Sequence, residues 1–258
     1  MHGLLLIKPA KTALVDGVTR ILADHEQWYL PDASRDFHCQ IGVIPKDKLK
    51  PGAVTINGVE FLILPALYAD RAKSIKRKAQ IITRKDVGCI TGHCGLTKDS
   101  IVVESGAGSG GSTVLFGALV RHVYSYEIEQ ESVTLVRENV ARVGLSNVTV
   151  THADFYAPDA IPTHEADVVL LDLPEPWQGV ANAIRAVKLG GYVVAYTPSI
   201  IQAAKFTNTL PKELLHERTI EVIERQWKVR GDAVRPDSEG IGHTAFLTFT
   251  RKIRDVTL

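Results

Sequence analysis

The sequence predicts a doubly wound α/β domain preceded by a small all-β domain. Three observations carry this expectation. After residue 100, short apolar runs alternate with segments of helical period. One of those runs, Ala166–Asp172, is apolar through its middle, as in a strand buried on both faces of a parallel sheet. Before residue 66 the apolar runs are separated instead by two-residue turn dipeptides, the punctuation of hairpins. The expected division is 1–75 for the β domain, with a basic linker following, and 76–258 for the α/β domain.

In the first part, Asp16-Gly17 separates strands Thr12–Val15 and Val18–Leu22, and Asn57-Gly58 separates Ala53–Ile56 and Val59–Leu64. Both dipeptides tolerate positive φ at each position. Gln27–Leu30 and Phe37–Ile44 read as further strands. A helix over 12–25 competes, but Gly17 in its middle disfavours it. In the second part, Ile101–Glu104 is a strand that runs into a glycine-rich turn, and Thr113–Val120 is the helix opened by that turn. His122–Glu127 follows as a strand. Glu129–Val143 is a helix with Val133, Val136, Val140 and Val143 on one face and Gly144 as its stop. Val148–His152 and Ala166–Asp172 are strands, and Ala181–Val187 is a helix. Gly190-Gly191 is a turn before the strand Tyr192–Tyr196. Ile200–Leu210 and Lys212–His216 read as helix, with Thr219–Trp227 and Thr244–Thr250 as closing strands.

Hydrophobic residues make up 45% of the 258 and charged residues 23%, which excludes a disordered or fibrous chain. The apolar stretch Leu4–Ile7 is too short for a signal peptide or a membrane span, so a soluble, cytoplasmic protein is expected. A formal net charge of +1 excludes nucleic-acid binding by bulk positive charge and leaves room for a local patch. Residues 71–85 carry seven Lys or Arg and no acid. That run is either a solvated linker helix or a phosphate-contacting surface. Cys39, Cys89 and Cys94 form no CxxC pair and read as reduced, mostly buried thiols. The nine histidines show no metal-site spacing, so no metal is expected.

The chemistry concentrates in two places. ESGAGSGG at 104–111 lies between a strand and a helix, where an open α/β sheet binds nucleotide-like ligands. Gly106, Gly108 and Gly111 satisfy the dinucleotide fingerprint, with Glu127 downstream for a ribose. The same segment, read from Glu104 with Gly106, Gly108 and Gly110, also fits the ExGxGxG loop of S-adenosylmethionine enzymes. Asp154 then stands at the end of the third strand, where those enzymes hold the adenine. The second place is Asp172-Leu173-Pro174-Glu175-Pro176-Trp177, at the carboxyl end of the fourth strand. An acid there faces the ligand crevice, the prolines stiffen the loop, and Trp177 can stack on a base.

Seven stretches together resemble the tRNA adenine-58 N1-methyltransferase family, its archaeal branch in particular. They are RDFHCQIGVI (35–44), AQIITRKD (79–86), ESGAGSG (104–110), YSYE (124–127), LLDLPEPW (170–177), YTPSIIQ (196–202) and GHTAFLTFTRK (242–252). The resemblance implies a Rossmann-like class I methyltransferase domain after a β-barrel domain, a homotetramer, S-adenosylmethionine as donor and tRNA as partner. It implies that Glu104, Gly106, Ala107, Gly108, Ser109, Gly110, Glu127 and Asp154 bind the donor, and that Asp172 both borders the donor and is the catalytic aspartate. It also directs Arg77, Gln80, Arg84, Lys85 and His243 toward RNA; Arg235, a little before the last stretch, and Trp177, which has no fixed counterpart in the family and is a candidate by its own stacking chemistry, join them. The family usually has Tyr-Pro where this chain has Thr83-Arg84, which leaves open what positions the target base. The rival readings are a non-catalytic tRNA-binding subunit, a small-molecule methyltransferase such as a tetrapyrrole-modifying enzyme, and a nicotinamide oxidoreductase.

Overall fold

The computed structural model describes residues 3–78, 80–163, 165–230 and 233–255. The chain divides into two compact units, one of Met1–Ser74 with Arg225–Gly240 and one of Ile75–Glu224 with Ile241–Leu258. The expected unbroken block from 76 to the end is therefore interrupted at Arg225–Gly240.

In the first unit the elements are β1 (Leu4–Lys8), β2 (Lys11–Val15), β3 (Val18–Ala23), β4 (Glu26–Leu30), β5 (Phe37–Cys39), β6 (Gly42–Ile44), β7 (Gly52–Ile56), β8 (Val59–Pro65) and α1 (Tyr68–Lys73). Strands β4-β1-β8-β7 form an antiparallel sheet, while β2 with β3 and β5 with β6 form hairpins. Both turn dipeptides adopt the left-handed backbone that their residues permit, with φ of 53° and 76° at Asp16 and Gly17 and 50° and 77° at Asn57 and Gly58. Leu6, Leu30, Ile44, Leu49, Phe61 and Ile63 form the core. The single strand expected over 37–44 is broken at Gln40-Ile41 into β5 and β6. Asn57 accounts for the break, because its Nδ2 donates to the Ile41 carbonyl at 2.7 Å and holds the tip of the turn.

The second unit contains α2 (Arg84–Cys94), β9 (Ile101–Ser105), α3 (Gly111–Gly117), β10 (His122–Glu127), α4 (Gln130–Val143), β11 (Val148–His152), β12 (Ala166–Leu171), α5 (Val180–Ala186), β13 (Val187–Thr197), α6 (Ile200–Asn208) and β14 (Leu214–Glu221). The hairpin of β15 (Trp227–Arg230) and β16 (Ala233–Pro236) belongs to the first unit, and β17 (Phe246–Lys252) returns to the second. The sheet order is β11-β10-β9-β12-β13-β17-β14. The first five strands in that order are parallel, and β17 is antiparallel to both its neighbours. The chain steps outward from β9 through β10 to β11, then restarts on the other side at β12. The topological switch point thus lies between the carboxyl ends of β9 and β12.

Burial on both faces of β12 follows its sequence. Val169 and Leu171 pack with Val103, Ala183 and Ile184, while Val168 and Leu170 pack with Val102, Phe116 and Phe249. Three expectations fail here. Lys212–His216 is not helical, because Leu214 and Leu215 already pair with Lys252 and Arg251 of β17. The strand expected over 219–227 ends at Glu221, and Trp227 opens a different hairpin. Gly190-Gly191 is not a turn between elements but an irregularity inside β13, where pairing jumps from Ala166↔Val187 to Val168↔Tyr192. All three cysteines are free but only partly buried.

One buried amide ties this unit together. Asn139 of α4 has no exposed surface. Its Oδ1 accepts from the Lys76 N–H at 2.9 Å, and its Nδ2 donates to the carbonyls of Lys76 at 2.8 Å and Ser109 at 2.9 Å. Asn139→Ala orphans three backbone groups, so urea unfolding should report a loss of about 3 kcal/mol. A loss under about 1 kcal/mol would show that these bonds do not hold the segment.

Candidate active site

The loop after β9 is shaped by its neighbours. Gly106 has φ of 77°, and its N–H donates to the Tyr126 carbonyl at 3.0 Å. A Cβ at Gly106 would lie 2.0 Å from the Asp172 carbonyl oxygen, so only glycine lets the two loops approach this closely. Gly108 has φ of 55° and open space where a Cβ would sit. Gly110, at φ of 77°, begins α3 against Val136. Ala107 and Ser109 are buried, and the Ser109 hydroxyl accepts from the Lys78 N–H at 2.9 Å.

Four acids surround this loop, in four different environments. Glu104 has no exposed surface and accepts from the hydroxyls of Ser112, Thr113 and Ser125. Burial raises its pKa, although those three hydroxyls oppose the rise. Glu104 therefore braces the loop from inside and does not face a ligand, contrary to its expected role. Glu127 is nearly buried. Its Oε2 accepts from the Gly108 N–H at 2.8 Å, and its Oε1 from the N–H groups of Ile128 at 2.9 Å and Glu129 at 3.0 Å. Asp154 is half-buried and accepts from the Tyr156 N–H at 2.8 Å.

Asp172 is different. Its N–H continues the ladder by donating to the Ser105 carbonyl at 3.1 Å, but its carboxylate has no hydrogen-bond partner among the described residues. Burial first, then the charges of Glu104 and Glu127, push its pKa from 3.8 up to about 7. A carboxyl raised in this way binds its proton more readily in the folded than in the unfolded chain. Its contribution to stability is full below pH 3.8 and is lost as the pH rises through about 7. Among the described residues no cation pairs with Asp172, and once that carboxyl ionises the crevice suits a cationic ligand.

The residues directed toward RNA scatter. Arg77, Gln80 and Arg84 are exposed on one continuous segment, of which Ala79 lies outside the described residues. Lys76 and Lys78 of the same basic run pair instead with Glu138 and Glu131 of α4. Lys85 is not available to a phosphate, because its side chain is 11% exposed and its Nζ donates to Asp86 at 2.8 Å. Trp177 already packs on the core, with the Lys205 ammonium 3.8 Å over its ring, so it is not an open stacking platform. His243 is exposed, but both its nitrogens are engaged, Nδ1 with Glu221 and Nε2 with the Pro198 carbonyl at 2.9 Å. Those two acceptors raise its pKa, Glu221 more than Pro198. Arg235 is exposed on β16, which belongs to the other unit. No motif in the sequence singles out Asn139, Asp86, Tyr196 or Thr244 as functional. Of these, Asp86 and Tyr196 end and begin two of the stretches quoted above, and Thr244 lies within a third.

The family model described as the tRNA methyltransferase complex GCD14 subunit matches residues 64–235. The chain belongs to that family. Among curated relatives, the tRNA (adenine(57)-N(1)/adenine(58)-N(1))-methyltransferase TrmI of Methanocaldococcus jannaschii is 28% identical over 267 residues, covering 90% of this chain and 94% of that protein. The tRNA (adenine(58)-N(1))-methyltransferase TrmI of Thermus thermophilus is 29% identical, covering 84% of this chain and 88% of that protein. Among solved structures, the tRNA (m1A58) methyltransferase TrmI of Aquifex aeolicus superposes with a TM-score of 0.78 at 22% identity, covering 98% of each chain. A SAM-dependent O-methyltransferase of Thermotoga maritima gives 0.79 at 22% identity, covering 99% of this chain and 94% of that one. The fold is the Rossmann-like one of class I methyltransferases, with a β-rich N-terminal region, and the nicotinamide reading falls away with that assignment.

The geometry of the family's loop makes a sharp prediction at two glycines. Gly106→Ala forces the Asp172 backbone aside, and donor affinity by calorimetry should fall at least tenfold, the scale of a misplaced crevice. Gly108→Ala meets no atom and pays only backbone strain, so its loss should be clearly smaller. Equal losses at both positions would contradict the close approach as the cause.

Proposed function

We propose that this chain transfers a methyl group from S-adenosylmethionine to N1 of adenine-58 in the T loop of tRNA, acting as a cytoplasmic homotetramer. The observation that carries the reading is the unpartnered Asp172 carboxylate at the switch point, set against the Gly106 loop and close enough to Glu127 to feel its charge. Names of relatives that cover nearly the whole chain support the substrate.

The residues fit such a donor. The open space at Gly108 leaves room for a ligand, Glu127 and Asp154 offer carboxylates to ribose hydroxyls and an adenine amine, and Asp172, once ionised, complements a sulfonium. When bound, that donor supplies an electrophilic methyl group on a cationic sulfur. N1 of neutral adenine already carries a free lone pair, so no base has to activate it. The demand on the protein is alignment. Asp172, once ionised, accepts a hydrogen bond from the exocyclic amine and so orients the ring. The methylated ring is cationic, and the same carboxylate stabilises that charge as it develops. Extruding the base from a folded loop costs a few kcal/mol, and phosphate contacts at Arg77 and Arg84 would help to offset it. Exposed Leu14 and Leu22 on the β2–β3 hairpin, with Trp227, Val229 and Val234 on β15–β16, supply apolar surface that supports self-association.

The test is transfer of labelled methyl to an unmodified tRNA transcript, followed by nucleoside digestion and chromatography. Wild type should give N1-methyladenosine, and Asp172→Ala should lower kcat about a hundredfold or more while donor affinity stays within a few-fold. Loss of donor affinity with kcat retained would overturn the role given to Asp172.

A further inference from the structure

Three of the stretches that carry the resemblance contain none of the residues assigned to the donor: 79–86, 196–202 and 242–252. They meet at one buried carboxylate. Asp86, in the first turn of α2, has no exposed surface. Its Oδ2 accepts from Thr83 Oγ1 at 2.9 Å, Thr244 Oγ1 at 2.9 Å and Tyr196 Oη at 3.3 Å. Its Oδ1 accepts from Lys85 Nζ at 2.8 Å, and that ammonium also donates to Thr244 Oγ1 at 2.7 Å. Four side chains from three separated segments thus converge on a single group.

A buried ion pair is a weak source of stability, because desolvation of both charges offsets their attraction. A network with every member satisfied does something else well, which is to hold each hydroxyl in one place. Here the hydroxyl that matters is that of Tyr196. Strands β12 and β13 pair in parallel with Leu171 beside Ala195, so the next residue of each, Asp172 and Tyr196, are neighbours. Both continue the alternation of Leu170 and Val194, on the sheet face where α2 packs through Val87 and Ile90. The two groups also feel one another. Burial, then the Asp86 charge, and to a lesser degree that of Asp172, raise the Tyr196 pKa. Pro198, two residues on, is held by His243 Nε2, next to Thr244 of the network.

We infer that Asp86, charge-paired with Lys85, is a positioning residue for the acceptor base: it fixes the Tyr196 hydroxyl beside Asp172 and thereby sets how the target ring meets the methyl group, while donor binding does not depend on it. This rests on the reading of Asp172 as the residue that orients the acceptor. Thr83, which stands where the family usually has tyrosine, is part of the same network, so the segment that lacks that aromatic is tied to the crevice through Asp86.

The experiment compares Asp86→Asn, Tyr196→Phe, their combination, and the double variant Lys85→Met/Asp86→Asn, which removes both charges and leaves neither buried alone. Each is assayed for kcat and KM with unmodified tRNA transcript, for S-adenosylmethionine affinity by calorimetry without RNA, and for Tm. The expected result is a kcat lowered about tenfold or more in every variant, with KM and donor affinity within about twofold and the double variant melting near wild type. Adding Asp86→Asn to Tyr196→Phe should cost little more, because both act through the same hydroxyl. Wild-type kcat in the charge-free double variant overturns the inference, as does a kcat loss matched by an equal loss of donor affinity, the mark of a merely structural role. A wild-type protein that labels no tRNA overturns the reading of the site itself, and this inference with it; a labelling wild type matched by the double variant overturns this inference alone.

Discussion

The loop after β9 and the loop after β12 come within van der Waals contact of each other at Gly106 and Asp172, and the rest of the crevice is arranged around that approach. A Cβ on Gly106 would lie 2.0 Å from the Asp172 carbonyl oxygen. The Asp172 N–H meanwhile donates to Ser105, the residue just before that glycine, at 3.1 Å. The two strands thus extend their ladder to the switch point, and the glycine lets the chain turn away immediately afterwards. Glu104 fixes the loop from below through three hydroxyls, and Asn139 fixes it from the side through the Ser109 carbonyl. A ligand in this place is met by a preformed backbone, with little ordering left to do on binding.

That rigidity has an electrostatic consequence. Glu104, Glu127 and Asp172 are close enough that the first two raise the pKa of the third. Glu104 is compensated by hydroxyls and Glu127 by three backbone N–H groups, but among the described residues Asp172 has no such donor. The fold leaves one carboxylate poised between its two protonation states, where a cationic ligand or a developing positive charge shifts the balance toward the ionised form. The same property that makes the residue useful makes the folded chain less stable once that carboxyl ionises.

Much of the second unit was legible in the sequence because strand and helix alternate there with clear stops, as at Gly144, and because Ala166–Leu171 is apolar at every position but Asp167. The turn dipeptides located four strands of the first unit for an equally local reason. The misreadings have non-local causes. Phe37–Ile44 looks continuous until Asn57, from another hairpin, captures the Ile41 carbonyl. Lys212–His216 has helical composition, but β17 recruits Leu214 as a strand. The site shows the same division. The motifs locate the glycines, Glu127 and Asp172 along the chain, but they do not say where a side chain points: Glu104, the first residue of the ExGxGxG pattern, bonds Ser112, Thr113 and Ser125, and Lys85, within the 79–86 stretch, pairs with Asp86. No spacing along the chain indicates that Asp86, Tyr196 and Thr244 share a buried network, since 158 positions separate its ends.

The most direct test of the account is the protonation state of Asp172. A carbon-13 NMR titration of aspartate-labelled protein, with Asp172→Asn for assignment, reads that carboxyl alone. The expected midpoint is near the value of about 7 that burial and the two neighbouring acids impose, moving downward when S-adenosylmethionine is added. A midpoint near the ordinary 3.8 in the free protein, or one that the donor leaves unmoved, would contradict it.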